Sequence, residues 1–334
     1  MSFRMRAARL SDLPALYEMA KLTGGGFTNL PPDRKHLTAK LEASAGALAR
    51  TDDSVADDRI ALMLEDIGDG HVRGTCQIFS KIGETAPFYS YRLGTLTQTS
   101  KELNRTFRAE LLTLSTDFEG ASEVGGLFLH PNERAGGLGL LIARSRYLYI
   151  RQHRARFADR LFAELRGVID EGGGSPFWDG LAGKFFGMTF QEADAFNAVN
   201  GHQMIADLMP KHPIYTALLP DSARLVMGVP HSSGRAAMRM LENEGFVQDF
   251  YIDIFDGGPT MHTLTDRVKS IAGARTVRIE RVADNDATST IVATGRLADF
   301  VAAYARVTDD GTIDAEGARL LGVESGCDVL LAPR

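Results

Sequence analysis

The stretch "EVGGLFLHPNERAGGLGLLIARSRYLYIRQH", residues 123–153, constrains this chain more than any other. Its opening is an apolar run and its close repeats apolar residues at helical spacing. Between them stand Arg134, Gly136, Gly137 and Gly139. Glycines where a strand hands over to a helix let the backbone approach a ligand closely. The first turn of the helix then points unpaired N–H groups outward, and the peptide dipoles add to the attraction for an anion. A dinucleotide turn would read Gly-x-Gly-x-x-Gly and a P-loop would end in Gly-Lys-Ser/Thr. The pattern Arg134-x-x-Gly137-x-Gly139 is neither, which removes a dinucleotide oxidoreductase from consideration. Gly136, Gly137, Leu138, Gly139 and Leu140 are expected to cradle a pyrophosphate, with Arg134 as a further phosphate contact. Spacing alone leaves a purely structural turn equally open.

Around this turn the pattern alternates between short strands and amphipathic helices. "FRMRA" opens as a strand, and Ser11-Asp12 marks a helix start ahead of Leu13, Leu16, Met19 and Ala20. A second helix follows Pro31-Pro32. Gly68-Asp69-Gly70 between two apolar runs predicts a hairpin. "FYSYRLGTLTQTS", "FRAELLTLSTDF" and "RLFAELRGVID" read as further strands. "GRAAMRMLENEGF" is a helix stopped by Gly245, followed by the strand "VQDFYIDIF". From about Leu264 on, short strand runs with one helix-like piece, "LADFVAAYA", predict a small β-rich appendage.

The net charge of −6 argues against a nucleic-acid surface. The eight histidines are scattered and the two cysteines, Cys76 and Cys327, lie far apart, so no metal-ligand spacing occurs. Both thiols are expected buried and free in a reducing compartment. The charged N-terminus lacks the apolar core of a signal peptide, and no apolar run reaches the length of a membrane span, so a cytoplasmic location is expected.

Strand, Arg-x-x-Gly-x-Gly turn and amphipathic helix together resemble the coenzyme A motif of the GNAT N-acyltransferases. "GRAAMRMLENEGFVQDF" resembles the helix–Gly-Phe–strand unit that closes such domains. "LTGGGFTNLP", "YRLGTLTQTSKELN", "AELRGVIDEGGGSPFWDGL", "FFGMTF", "LMPKHPIYTALLP" and "YIDIFDGGPT", in this order, resemble the bacterial arginine N-succinyltransferase family more specifically. The resemblance runs from about Ala7 to Thr260. It implies an α+β fold, a GNAT-like mixed, mainly antiparallel sheet flanked by helices over residues 1–257, and the strand runs that follow are expected to form a small β-rich domain over 258–334. It also implies succinyl transfer from succinyl-CoA, a co-substrate and not a resident cofactor, to the α-amino group of L-arginine. A homo-oligomer, or a heteromer with a homologous subunit, is implied as well.

Residue by residue, the resemblance makes Leu127 a succinyl-CoA contact, with its strand neighbour Leu129 beside it, and His231 the proton donor. Around His231 the chain departs slightly from the family, with Val229-Pro230 before it and Ser232-Ser233 after. Histidine titrates near neutrality and can take a proton from the amine and return one to sulfur. No serine or cysteine sits in a nucleophile motif, so direct attack is expected. His212 and His130 have the bland reading of loop residues. His36, His71, His153, His202 and His262 show no chemical neighbourhood. The succinyl carboxylate needs a cation, for which Arg92, Lys101 and Arg166 stand in family-like blocks. The guanidinium of the acceptor needs an acid, for which Glu164, Asp170, Glu171, Asp253 and Asp256 stand likewise. An enzyme preferring ornithine or another amine, or a non-catalytic acyl-CoA-binding subunit, are the alternatives.

Overall fold

The computed structural model describes residues 2–23, 30–134, 136–200 and 203–333. Ten strands precede residue 265: β1 (Phe3–Ala7), β2 (Arg59–Asp66), β3 (Val72–Phe79), β4 (Ser90–Ser100), β5 (Arg105–Ser115), β6 (Ser122–Leu129), β7 (Arg160–Glu164), β8 (Ile214–Tyr215), β9 (Val247–Asp253) and β10 (Pro259–Leu264). Six follow: β11 (Arg275–Arg278), β12 (Arg281–Val282), β13 (Thr290–Thr294), β14 (Val301–Ala305), β15 (Thr312–Ile313) and β16 (Asp328–Leu331). Fourteen of them form one sheet in the order β11-β16-β13-β14-β1-β2-β3-β6-β7-β10-β9-β4-β5-β8. Its pairings are antiparallel except β6–β7, which run parallel.

Strand β2 shows how the sheet acquires two covered faces. Leu62 and Leu64 join a core with Cys76, Ile78 and helix α3 (Leu138–Gln152), while Ala61 and Met63 pack under α1 (Leu13–Lys21) and α2 (Arg34–Ala49). Alternation sends neighbouring side chains to opposite faces, so a strand buried on both reads as a continuous apolar run. The N-terminus of α2 is fixed by Asp33, whose carboxylate accepts from the His36 N–H at 2.6 Å. The helix Arg235–Glu244 ends on Gly245 at φ 96°, as its sequence predicts.

Two expectations differ from the structure. "LADFVAAYA" is a 3-10 turn followed by strand β14, not a helix. Val301 to Ala303 pair with Arg6 to Arg4 of β1, and sheet pairing overrides the helical propensity of alanine. The C-terminal strands also extend the main sheet instead of standing apart. Strand β10 lies between β7 and β9, so residue 257 falls within the β9–β10 connection, and β14 joins β1. Ile291, Phe300, Ala302 and Leu330 belong to the same core as α3. Cys76 is buried, Cys327 is half-buried, and both are free.

Candidate active site

The parallel pair β6–β7 is where the sheet opens. Its register covers only Ser122–Leu161 and Glu123–Phe162, after which the strands diverge. Beyond Glu123 the β7 side of β6 has no ladder partner among the described residues. On its other side β6 carries a bulge against β3, where the register shifts between the Gln77–Gly125 and Thr75–Phe128 pairs. Gly126 makes the bulge at φ 56°, and a Cβ there would lie 2.3 Å from Gln77 Nε2. The bulge turns the backbone at Leu127 relative to a regular strand, beside the opening. Leu127 itself is partly buried, and Leu129 is core.

The glycine turn follows at the carboxyl end of β6. Gly136 and Gly137 have φ of 63° and 78°, a region that favours glycine. Gly137 caps α3, and its carbonyl accepts from Leu140 and Leu141 N–H, both at 3.0 Å. The Leu140 amide is therefore occupied, which shortens the expected cradle to the amides from Gly136 to Gly139. Among the described residues the N–H groups of Leu138 and Gly139 have no acceptor. Leu138 buries its side chain, so it offers a ligand its backbone alone. Arg134 is exposed at the end of the preceding 3-10 turn. His130 caps that turn, with Nδ1 accepting from the Asn132 N–H at 3.3 Å.

His231 is held at the carboxyl end of β7, so it stands at the same end of the parallel pair as the turn. Its N–H donates to the Arg166 carbonyl at 2.8 Å, and Gly167 bridges to Pro230. The imidazole Nδ1 lies 2.7 Å from Ser233 Oγ and 3.3 Å from Ser233 N. The Ser233 N–H donates to Nδ1, so Nδ1 is the acceptor nitrogen of the neutral ring, and the Ser233 hydroxyl can donate to it as well. Burial first, then the charge of Arg166, hold the His231 pKa below its ordinary value and favour the neutral base. Arg166 itself keeps Nε buried and without a hydrogen-bond partner among the described residues.

Carboxylates gather behind this pair. Glu123 pairs across to Phe79, and Phe79 to Arg59, which puts Glu123 on the face covered by α1 and α2. Glu164 lies two residues beyond Phe162, the partner of Glu123, and so shares that face. Both side chains are ringed by protein yet partly open to solvent. Burial raises the Glu123 pKa to about 7. Burial, then repulsion from Asp253, Glu123 and Asp256, raises Glu164 well above the usual carboxylate range. Asp256 is pushed up to about 7, again by burial first and Asp253 second.

Asp256 works as a clamp. Its oxygens accept from Gly167 N–H at 2.7 Å and Gly258 N–H at 2.8 Å, tying the loop after β7 to the β9–β10 turn. Gly258 is required there because a Cβ would meet the Leu165 carbonyl at 2.1 Å. Asp253 caps the same turn, accepting from Phe255 N–H at 2.6 Å and Asp256 N–H at 2.9 Å.

The structure thus brings together His231, Arg166, Glu164 and Asp253. Of the other two cation candidates, Arg92 stands diagonal to Asp253, two residues along β4 from its partner Ser90, and Lys101 is not brought there. Arg92 is exposed on β4, 3.9 Å from Asp117, and lines an open cavity of about 560 Å³ with Gln248 and Phe250. Lys101 is exposed at the tip of the β4–β5 hairpin, roughly 30 Å along the strand from Arg92. Asp170 closes its own loop by accepting from Gly174 N–H at 2.8 Å, and Glu171 is exposed. His212 is an exposed loop residue, and His202 lies outside the described residues. Sequence reasoning missed Glu123, whose signal is an isolated acid within the otherwise apolar run "VGGLFL" that it precedes.

The family model described as arginine N-succinyltransferase beta subunit matches residues 3–270. The chain belongs to the arginine N-succinyltransferase family. It is 42% identical over 271 residues to the arginine N-succinyltransferase of Citrobacter koseri, covering 81% of this chain and 78% of that one. With the Salmonella schwarzengrund enzyme of the same name it shares 39% over 330 residues, covering 98% and 93%. The solved arginine/ornithine succinyltransferase subunit AI of Pseudomonas aeruginosa superposes with a TM-score of 0.91 at 32% identity, covering 99% of this chain and 98% of that one. The mixed, mainly antiparallel sheet with helices is the one that the family resemblance implies, and among the described residues no helix is long and apolar enough to cross a membrane.

Proposed function

We propose that this chain transfers the succinyl group of succinyl-CoA to the α-amino group of L-arginine, with His231 carrying the proton. The pyrophosphate rests on the amides from Gly136 to Gly139, and the thioester lies along β6 at Leu127. The neutral amine attacks the thioester carbon directly. Its proton passes to the neutral imidazole of His231 and then to the sulfur as the C–S bond breaks. A thiol of pKa about 8.5 leaves readily, so the acid need only be mild.

Arg166 reads the distal carboxylate of the succinyl group, since its buried Nε has no hydrogen-bond partner among the described residues and its charge acts on His231. Glu123 and Glu164 receive the guanidinium of the acceptor, whose positive charge draws both carboxyls toward ionisation. The observation that carries this reading is the docking of His231 on the strand end where β6 and β7 part. Ornithine is the second acceptor reading, because the Pseudomonas aeruginosa relative is named for both amino acids. The purified chain, assayed alone for thiol release from succinyl-CoA, is expected to release CoA on addition of L-arginine. Binding of CoA with no release to any amine would favour a non-catalytic subunit that works only beside a homologous partner.

A further inference from the structure

A side chain of the C-terminal segment reaches the donor turn. Tyr304, on β14, donates from its hydroxyl to the Gly137 carbonyl at 3.0 Å. The contact is close enough that a Cβ at Gly137 would lie 2.9 Å from Tyr304 Oη. Gly137 is the cap of α3, and its carbonyl already accepts from Leu140 and Leu141. Three donors on one carbonyl fix the orientation of the first helical turn, and with it the direction of the Leu138 and Gly139 amides. Strand β14 is itself a rigid support, paired on one side with β1 and on the other with β13. Further along α3, Arg144 donates through Nη1 to the Pro333 carbonyl at 3.0 Å and through Nε to Glu244 at 2.8 Å. The C-terminal strands therefore touch the helix both at its anion-binding end and along its length.

We propose that Tyr304 is a positioning residue for acyl-CoA: from the C-terminal strands it holds the Gly137 cap so that the amides of α3 meet the pyrophosphate. This rests on the reading of the turn as the coenzyme A site. It assigns the segment after residue 275 a part in donor binding. Orientation of preformed donors matters most where the ligand carries charge, so the effect belongs to the pyrophosphate and not to the thioester.

The test compares two donors in the full-length chain, succinyl-CoA and succinyl-pantetheine, which carries the same thioester without the pyrophosphate. Tyr304→Phe keeps the ring and removes the hydroxyl. It is expected to raise KM for succinyl-CoA about five- to tenfold, the worth of one hydrogen bond of about 1 kcal/mol or slightly more. The maximal rate, KM for arginine and KM for succinyl-pantetheine are expected to stay at wild-type values. An equal loss with both donors, or no change with either, would overturn the assignment. If the wild type does not prefer succinyl-CoA over succinyl-pantetheine, the reading of the turn itself fails. That outcome is visible before any variant is made. Thermal unfolding of Tyr304→Phe near the wild-type midpoint separates a local effect from a folding defect.

Discussion

In the proposed site the donor side is made of backbone, and the acceptor side is made of side chains. Along β6 and the start of α3 the chemistry is carried by peptide groups: an unpaired strand edge, a bulge at Gly126 and the amides from Gly136 to Gly139. Around His231 it is carried by an imidazole, a guanidinium and a set of carboxylates that arrive from β6, β7, β9 and the loops after them. Backbone sites tolerate most side-chain changes and fail when the path of the chain changes. Side-chain sites fail at single substitutions and respond to pH.

The largest difference is expected at His231. His231→Ala should lose about 10²- to 10⁴-fold in turnover, the range for a lost acid/base group, with succinyl-CoA affinity unchanged by equilibrium binding. Unchanged turnover would remove the residue from the mechanism, and lost donor binding would join the two halves that are separated here.

Next comes Glu164. Glu164→Gln should lower kcat/KM for arginine about ten- to a hundredfold through the loss of a charge-assisted contact, with a smaller loss for uncharged amines. An equal loss for every amine would assign Glu164 to the scaffold.

On the donor side the sensitive position is glycine. Gly126→Ala places a side chain at φ 56° and against Gln77, and should destabilise the fold by about 1–3 kcal/mol in urea unfolding. It should also weaken succinyl-CoA binding more than arginine binding. Wild-type stability would mean that the bulge is not under constraint.

The smallest effect is a pH dependence confined to the acceptor side. Glu123, at a pKa of about 7 against an ordinary 4.5, holds its proton more tightly in the folded chain. Its contribution is full below about pH 4.5 and is lost as pH rises through 7. Asp256, raised from 3.8 to about 7, acts in the same direction. Glu123→Gln should therefore flatten the decline of stability between pH 5 and 8, read by denaturant unfolding at each pH. An unaltered slope would place Glu123 outside the titrating set.

The same contrast explains what the sequence made legible. The strand, glycine turn and helix of the donor side are contiguous, so their local chemistry can be read from one stretch of chain. Leu140 is the detail that local pattern hides, because its amide is consumed by the Gly137 cap. The acceptor side is assembled from segments spread over more than a hundred residues, and nothing local says that Glu123 faces Glu164. Lys101 illustrates the converse. It lies in a family-like block, yet the long β4–β5 hairpin carries it away from the opening, while Arg166 is held there by the Asp256 clamp on Gly167. "LADFVAAYA" misleads for a related reason: alanines that favour a helix in isolation are small enough to pack where β14 is covered on both faces.

The most direct test is a competition in one vessel. The chain is given equimolar succinyl-CoA and acetyl-CoA with equimolar L-arginine and L-ornithine, and the products are separated and identified by mass and by the nitrogen acylated. The account predicts Nα-succinylarginine as the dominant product. Acetylated product in excess would contradict the role of Arg166, and succinylornithine in excess would contradict the acceptor assigned to Glu123 and Glu164.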